Sequence, residues 1–134
     1  MKSKILFMSL AIALIVAGCS TTSEQSRPET KPLKADRVQI LMYDTTTRTK
    51  TTHLDIYDTK PPERPYKVIA LLTCEGAVDQ EVVMTTAILY RARQIGADGV
   101  ISAGTATIMK EGTLIGGTSA RSVFRYRAIV YEDK

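Results

Sequence analysis

The sequence contains few of the side chains from which enzymes and metal centres are built. It has one histidine, His53, two cysteines and no tryptophan among its 134 residues. One histidine and scattered carboxylates give no CxxC or HxxxH spacing, so we predict no metal site, no cofactor and no catalytic group. No serine, cysteine or carboxylate forms a recognisable catalytic pattern with His53, so this histidine is expected to lie on the surface. A protein that binds is therefore favoured over an enzyme.

Residues 1–18 predict a signal peptide. Lys2 and Lys4 supply the positive charge at its start, and residues 5–16 form an apolar run too short to span a bilayer comfortably. The run ends in Val16-Ala17-Gly18-Cys19. This sequence resembles the bacterial lipobox, and the resemblance implies that Cys19 is acylated and becomes the first residue of the mature protein.

An acylated Cys19 implies a stable membrane anchor. A lipoprotein cysteine carries a diacylglyceryl group and usually an amide-linked chain, and two or more acyl chains hold a protein firmly on a bilayer. Ser20 follows, where proteobacterial lipoproteins of the inner membrane tend to have Asp. The resemblance therefore implies an outer-membrane lipoprotein that faces the periplasm, if the source is Gram-negative. An uncleaved anchor and an ordinary signal peptide are the alternatives.

The charge of the mature chain gives little reason to expect nucleic acid as a partner. The full sequence has 18 basic and 14 acidic residues and a pI near 9.1. Removing Lys2 and Lys4 leaves 16 basic residues against 14 acidic ones, a net charge of +2. The pI thus overstates how basic the mature protein is, and an envelope location disfavours nucleic acid further.

The second cysteine, Cys74, is predicted to be structural. With Cys19 acylated, no intramolecular disulfide can form. Cys74 ends an apolar strand and has no CxxC partner, so we expect a buried, unreactive thiol.

Residues 19–36 predict a flexible tether, and residues 37–134 a single small domain. The tether is polar and interrupted by Pro28 and Pro32, so it cannot bury a core. A segment of this length and composition reaches roughly 20–25 Å on average. The folded domain is therefore expected to lie just off the membrane.

The core of the domain is predicted to be a βαβ unit. Residues 67–74 are apolar at both odd and even positions, as in a strand covered on both faces. Residues 79–95 have a helical period, and Gly96 is expected to end the helix in the left-handed conformation. Residues 100–103 begin a second strand, parallel to the first. We therefore predict an α+β fold: a mixed sheet of about five strands with one long helix packed on one face.

The remaining strands flank this unit. Residues 38–43 and 51–57 alternate in polarity and are predicted to pair as a hairpin. Three prolines within residues 61–65 predict an extended connection. The strand after the helix is expected to bend at Gly104. A last strand over residues 123–132 places apolar side chains on one face (Phe124, Tyr126, Ala128, Val130) and Arg125 and Arg127 on the other.

The helix has two apolar arcs. The first is predicted to pack on the sheet and comprises Met84, Ile88, Ala92 and Ile95, flanked by Leu89. The second comprises Val83, Ala87 and Tyr90. This second arc indicates a partner subunit, and hence a homo-oligomer, or another covering segment. Scattered small residues on a solvated face explain it equally well.

A weaker candidate for a ligand site is the strand face of His53, Asp55 and Tyr57. Asp55 and Asp98 would make an acid–base pair if the fold brought them together, but nothing in the sequence does so. Asp98 is more simply a turn residue that accepts hydrogen bonds from backbone N–H groups.

Arginines near the end of the chain form a second polar feature. Arg121, Arg125 and Arg127 would suit lipid phosphates or an anionic glycan, with a solvated strand face as the simpler interpretation.

Residues 91–101 read RARQIGADGVI. This run is similar to the A-x-x-x-GAD-[AG]-[VI]-[VI] signature of YbjQ-like domains, a family described as heavy-metal-binding, and more loosely to RcsF-like stress-sensing lipoproteins. The similarity extends over about residues 66–131 and implies the fold. For YbjQ-like proteins it also implies ring formation, which the arc of Val83, Ala87 and Tyr90 would serve. RcsF-like domains carry disulfides that this mature chain cannot form, and no set of metal ligands supports a metal-binding role.

Together these features predict a membrane-anchored envelope lipoprotein with a non-catalytic interaction or stress-related accessory role. Its expected partners are the membrane, through the lipid anchor, and an envelope protein or a second copy of the chain. The alternative is a small-ligand or metal-binding module in the periplasm. A hydrolase of envelope polymers has the least support, because the catalytic set is missing.

Overall fold

A computed structural model describes residues 29–112 and 117–134. Within them it has five strands and one long helix: β1 (Gln39–Met42), β2 (Asp55–Tyr57), β3 (Tyr66–Ala77), α1 (Glu81–Gln94), β4 (Gly99–Glu111) and β5 (Thr118–Tyr131). Short 3-10 turns precede β1 and α1, at Ala35–Arg37 and Val78–Gln80. The predicted signal peptide, Cys19 and the first part of the tether lie outside the described residues. No helix in the described part is long and apolar enough to cross a membrane.

The sheet has the strand order β1-β3-β5-β4-β2. β5 runs antiparallel to both β3 and β4, so those two strands are parallel to each other. The predicted βαβ unit is therefore confirmed, although β5 lies between its two strands. β1 pairs antiparallel with β3, and β2 pairs parallel with β4. This is the α+β fold that the sequence predicts, with a mixed five-stranded sheet and one helix.

The predicted hairpin between the first two strands is wrong, because β1 and β2 lie at opposite edges of the sheet. Residues 43–54 cross past the C-terminal end of α1 to connect them. The Thr51 N–H donates to the Arg93 carbonyl at 3.1 Å, and the Thr51 hydroxyl donates to the Ala97 carbonyl at 2.7 Å. The last carbonyls of a helix have no partners within it, so they hold this crossing segment in place.

The first apolar arc of α1 packs on the sheet as predicted. Met84, Ile88 and Ala92 are fully buried, and Leu89 and Ile95 pack against the same core. The sheet contributes the even positions of β3 and β5, including Cys74 and Tyr126. Burial raises the pKa of the Cys74 thiol, which keeps the thiol protonated and agrees with the predicted structural role.

β3 is covered on one face for most of its length, so the prediction that both faces are covered is wrong. Its even positions lie under α1, whereas Leu71, Thr73 and Glu75 alternate with them and are only half-buried. A small second cluster covers one end of the opposite face. It comprises Ile101, Ile129 and Tyr131, with Tyr57, Tyr66 and Val68 packed against them.

The second apolar arc of α1 is buried at its centre. Ala87 is 0 % exposed and belongs to the intramolecular core, while Val83 and Tyr90 are half-buried. The 3-10 turn Ala35–Arg37 packs against α1, with Ala35 buried. Burial within the chain accounts for Ala87, and the predicted homo-oligomer stays a prediction.

Two glycines behave as the sequence predicts. Gly96 has φ 76°, and the hydrogen bonds from Gly96 N–H to Arg93 and from Ala97 N–H to Ala92 form a Schellman motif that ends α1. Gly104 has φ 96° within a register shift between Ser102 and Thr105, which bends β4.

Candidate functional site

The three residues of the predicted ligand face lie together at one end of the sheet, on the side opposite α1. β2 positions Asp55 and Tyr57 beside Gly99 and Ile101 of β4, and His53 lies two residues before the strand begins. Period-two alternation puts all three side chains on one side of this edge strand. The sequence therefore predicted their common face correctly.

A chain of hydrogen bonds joins these side chains to Tyr131 at the end of β5. His53 Nε2 lies 2.8 Å from Asp55 Oδ1, and the Tyr131 hydroxyl donates to Asp55 Oδ2. The two tyrosine hydroxyl oxygens are 2.7 Å apart. Since the Tyr131 proton goes to the carboxylate, the Tyr57 hydroxyl must donate to Tyr131. The four side chains thus form one directional network.

This network has clear electrostatic consequences. The hydrogen bond from Tyr131 holds the pKa of the Asp55 carboxyl below its ordinary value, and His53 acts in the same direction. Burial, together with the hydrogen bond to Asp55, raises the pKa of the Tyr131 hydroxyl well above its ordinary value. At neutral pH the carboxyl is therefore ionised and the phenol protonated, the states that strengthen the hydrogen bond between them.

Arg64 covers the network from the side of the proline-rich connection. Its guanidinium carbon lies 3.8 Å from the centre of the Tyr131 ring, a cation–π contact. The Arg64 Nε also donates to both carboxylate oxygens of Asp133, at 3.0 and 3.1 Å. Arg64 is thus fixed over Tyr131 by its ion pair with Asp133, two residues further along the chain.

Asp98 meets the same region from the turn after α1. Its backbone carbonyl accepts the Asp55 N–H at 3.0 Å, and its Oδ2 accepts the Tyr131 N–H at 2.9 Å. Lys134 pairs with Oδ1. Asp98 does accept a backbone hydrogen bond, as predicted, but from β5 rather than from its own turn. The fold brings Asp55 and Asp98 together, which the sequence could not predict.

A cavity of about 420 Å³ opens between these groups. Three cations, Lys50, Arg64 and Lys134, line it beside His53 and the two carboxylates of Asp55 and Asp98. Both carboxylates are engaged by Tyr131, His53 or Lys134, and Arg64 is paired with Asp133. Lys50 is the cation of the lining that forms no ion pair within residues 29–112 and 117–134, so the donor capacity left in the cavity is mainly its own. Such a lining suits a small anionic or acceptor-rich molecule.

His53 lies at the mouth of this cavity with its side chain 86 % exposed. Its surface position agrees with the sequence. Asp55 was predicted to share its face, but the contact between His53 Nε2 and the Asp55 carboxylate was not. No group of three or more His, Cys, Asp or Glu side chains that could hold a metal ion occurs within residues 29–112 and 117–134.

Sequence reasoning missed Tyr131, Arg64 and Lys134 as members of this site. For Tyr131 a signal was present: the odd positions of β5 change from arginine to Ile129 and Tyr131 near the strand end. That change marks the point where the second face of the sheet becomes buried. The positions of Arg64 and Lys134 depend on tertiary contacts that leave no local pattern.

Replacing Tyr131 with Phe is expected to lower the free energy of unfolding at neutral pH by about 1–3 kcal/mol, because the Asp55 carboxylate loses a buried donor. A lowered pKa stabilises the fold above the ordinary carboxyl pKa, and this contribution disappears as pH falls through the lowered value. Urea unfolding at neutral and acidic pH measures this effect. Acidification should lower the free energy of unfolding less in Tyr131→Phe than in the parent.

The control for this measurement is Tyr57→Phe, which keeps the bond between Tyr131 and Asp55 and should retain the parent's acid sensitivity. Equal acid sensitivity in the parent and in Tyr131→Phe would contradict the assigned network.

Comparison with known proteins gives little further guidance. No family model matches the chain, and no curated protein matches it. Among solved structures, the chain is similar to the Francisella virulence factor FvfA in its orthorhombic crystal form, with 14 % sequence identity and a TM-score of 0.40. The match covers 68 % of this chain and 95 % of that one.

Proposed function

We propose that this protein is a lipid-anchored component of the bacterial cell envelope whose folded domain works by binding, in an interaction or stress-related accessory role. In a Gram-negative source it would reside in the outer membrane and face the periplasm. The observation that carries the proposal is the sequence Val16-Ala17-Gly18-Cys19 at the end of an apolar run with a basic start.

The distance between anchor and domain supports this arrangement. The side chain of Glu29 pairs with Arg93 in the last turn of α1, so the chain contacts the domain from residue 29 onward. Glu29 is ten residue steps from Cys19, and a random coil of that length would reach about 16–19 Å on average. The domain would remain close to the bilayer surface.

Replacing Cys19 with Ser should release the protein from the membrane fraction, because acylation requires the thiol and the chain then lacks its acyl groups. Fractionation of cells and extraction with a phase-separating detergent measure the result. The matched control is Ser20→Ala, which keeps Cys19 and should stay with the membranes. Membrane retention of Cys19→Ser, or solubility of the parent, would refute the anchoring.

A second candidate function is the binding of a small ligand in the cavity beside His53. It is favoured by one observation: Asp55, Tyr57 and Tyr131 form a continuous hydrogen-bonded wall, while Lys50 and Lys134 supply positive charge at the cavity. A preorganised wall of this kind lowers the cost of ordering side chains when a ligand binds.

Under this second function, small carboxylates or phosphates should raise the melting temperature of the parent protein, because a ligand that binds only the folded state stabilises it. Lys50→Gln should weaken that rise, whereas Lys60→Gln, on the exposed proline-rich connection, should preserve it. Metal binding is tested by titrating Zn²⁺ into the parent and into His53→Ala and comparing their melting temperatures. Melting temperatures unaffected by every one of these additives would remove the cavity as a binding site.

A further inference from the structure

The face of the sheet opposite α1 carries a row of arginines along its middle. β5 is the central strand. Arg121, Arg125 and Arg127 occupy odd positions on it, away from the helix, with the buried Val123 between Arg121 and Arg125. Arg125 and Arg127 are two residues apart on the strand, so their positions are separated by about 7 Å. We name the surface formed with their neighbours the arginine face; those neighbours are Leu41, Leu71, Thr73, Glu75, Ala106, Ile108 and Lys110.

The charge of the arginine face is unbalanced. It has four cations and one carboxylate, and that carboxylate, Glu75, is shared by Lys110 at 2.6 Å and Arg121 at 3.3 Å. Arg125 and Arg127 are exposed, and neither forms an ion pair with another residue in 29–112 or 117–134. A net charge of +3 thus faces solvent at the centre of a sheet. Apolar side chains lie beside it, including Leu41, which is 58 % exposed.

The path of the chain allows this face to reach the bilayer. Residues 29–37 run along α1, since Glu29 pairs with Arg93 at one end of the helix and Lys34 donates to Gln80 at the other. Glu29, the first described residue, therefore lies on the helix side. The ten residue steps from Cys19 to Glu29 allow a maximum span of about 33–36 Å, which exceeds the roughly 20 Å thickness of a helix packed on a sheet.

We propose that the arginine face docks on the anionic phospholipid headgroups of the membrane that holds the acylated chain. This inference rests on the proposed anchoring. A guanidinium binds a phosphate through paired hydrogen bonds. Leu41 at the edge of the face and Ile108 beside Arg121 supply apolar contacts. The anchor keeps the face and the headgroups at high effective concentration, so a few cations are sufficient.

A second copy of the chain fits this face poorly. Two arginine faces packed against each other would oppose like charges at the centre of the contact, which is destabilising. An acidic protein segment would satisfy the same charges, and the experiment below separates it from lipid.

Docking is tested with the mature acylated protein in vesicles of phosphatidylcholine alone or with phosphatidylglycerol. A fluorophore on Thr73→Cys, which pairs with Arg125 in the sheet, reports proximity to a headgroup quencher. The same label on Thr86→Cys, exposed on α1, is the control position. Cys74 is fully buried and Cys19 is acylated, so neither competes for the label.

Phosphatidylglycerol should increase quenching at Thr73→Cys but not at Thr86→Cys, and high salt should reverse the increase. Each cation near an anionic surface contributes about a fivefold preference. The double variant with Arg125→Gln and Arg127→Gln should therefore reduce the ratio of docked to undocked protein about 25-fold. Lys31→Gln with Lys60→Gln removes the same charge from outside the arginine face and should leave the ratio nearly unchanged.

If the protein stays on both kinds of vesicle and phosphatidylglycerol does not change the quenching at Thr73→Cys, the docking is refuted but the anchoring is not. Protein that leaves both kinds of vesicle would overturn the anchoring and, with it, the docking. Shielding of the Thr73→Cys label by soluble polyglutamate, without any response to phosphatidylglycerol, would assign the face to an acidic protein and reject lipid.

Discussion

The turn that ends α1 is the point on which the rest of the domain depends. Arg93 and Ala97 accept hydrogen bonds from Thr51 through their carbonyls, and Asp98 binds both Asp55 and Tyr131. The helix, the crossing segment of residues 43–54, the edge strand β2 and the end of β5 therefore meet at Ala97, Asp98 and the carbonyl of Arg93. Apart from this junction, β2 is held by its three-residue pairing with β4 and by the side-chain contacts of Asp55 and Tyr57 with Tyr131.

The two sides of the sheet have different physical roles. The side under α1 is a closed apolar core in which Met84, Ile88 and Leu72 are fully buried. The opposite side has no helix over it in the described residues, and its character changes along β5 from Arg125 and Arg127 to Ile129 and Tyr131. On this side, the end of the sheet at Tyr131 has a polar cavity next to a small apolar cluster. The part around Arg125 and Arg127 has a surface of net positive charge. The proposed binding role would use one or both of these surfaces.

The sequence predicted the central elements because their signals are local. The helical period fixed the stripe of Met84, Ile88 and Ala92, and Gly96 marked the helix end through its need for positive φ. A covering segment was one explanation predicted for the arc that contains Ala87, but the helix pattern could not identify the segment: the 3-10 turn that packs on α1 lies about fifty residues away in the sequence. Alternation likewise identified β1 and β2 as strands without identifying their partners, and so the hairpin prediction failed.

The candidate site shows the same limit. The common face of His53, Asp55 and Tyr57 followed from period-two alternation, whereas Tyr131 joins them across 76 residues of sequence from Asp55. The GAD sequence, on which the family resemblance rests, has a structural explanation in this domain. Gly96 adopts positive φ, Ala97 is fully buried, and Asp98 satisfies N–H groups from two strands.

The central claim is that the turn at Gly96 holds the crossing segment and β2 in place, and amide hydrogen exchange of Gly96→Ala tests it most directly. A Cβ atom at Gly96 would lie 2.5 Å from the Arg48 Cβ and 2.6 Å from the Thr49 carbonyl oxygen. The account predicts that exchange at Thr51 and Asp55 becomes faster by about tenfold or more relative to the core of α1. Gly104→Ala, which has positive φ but no neighbour within 4 Å, should leave these amides unchanged. Unaltered protection of Thr51 and Asp55 in Gly96→Ala would contradict the account.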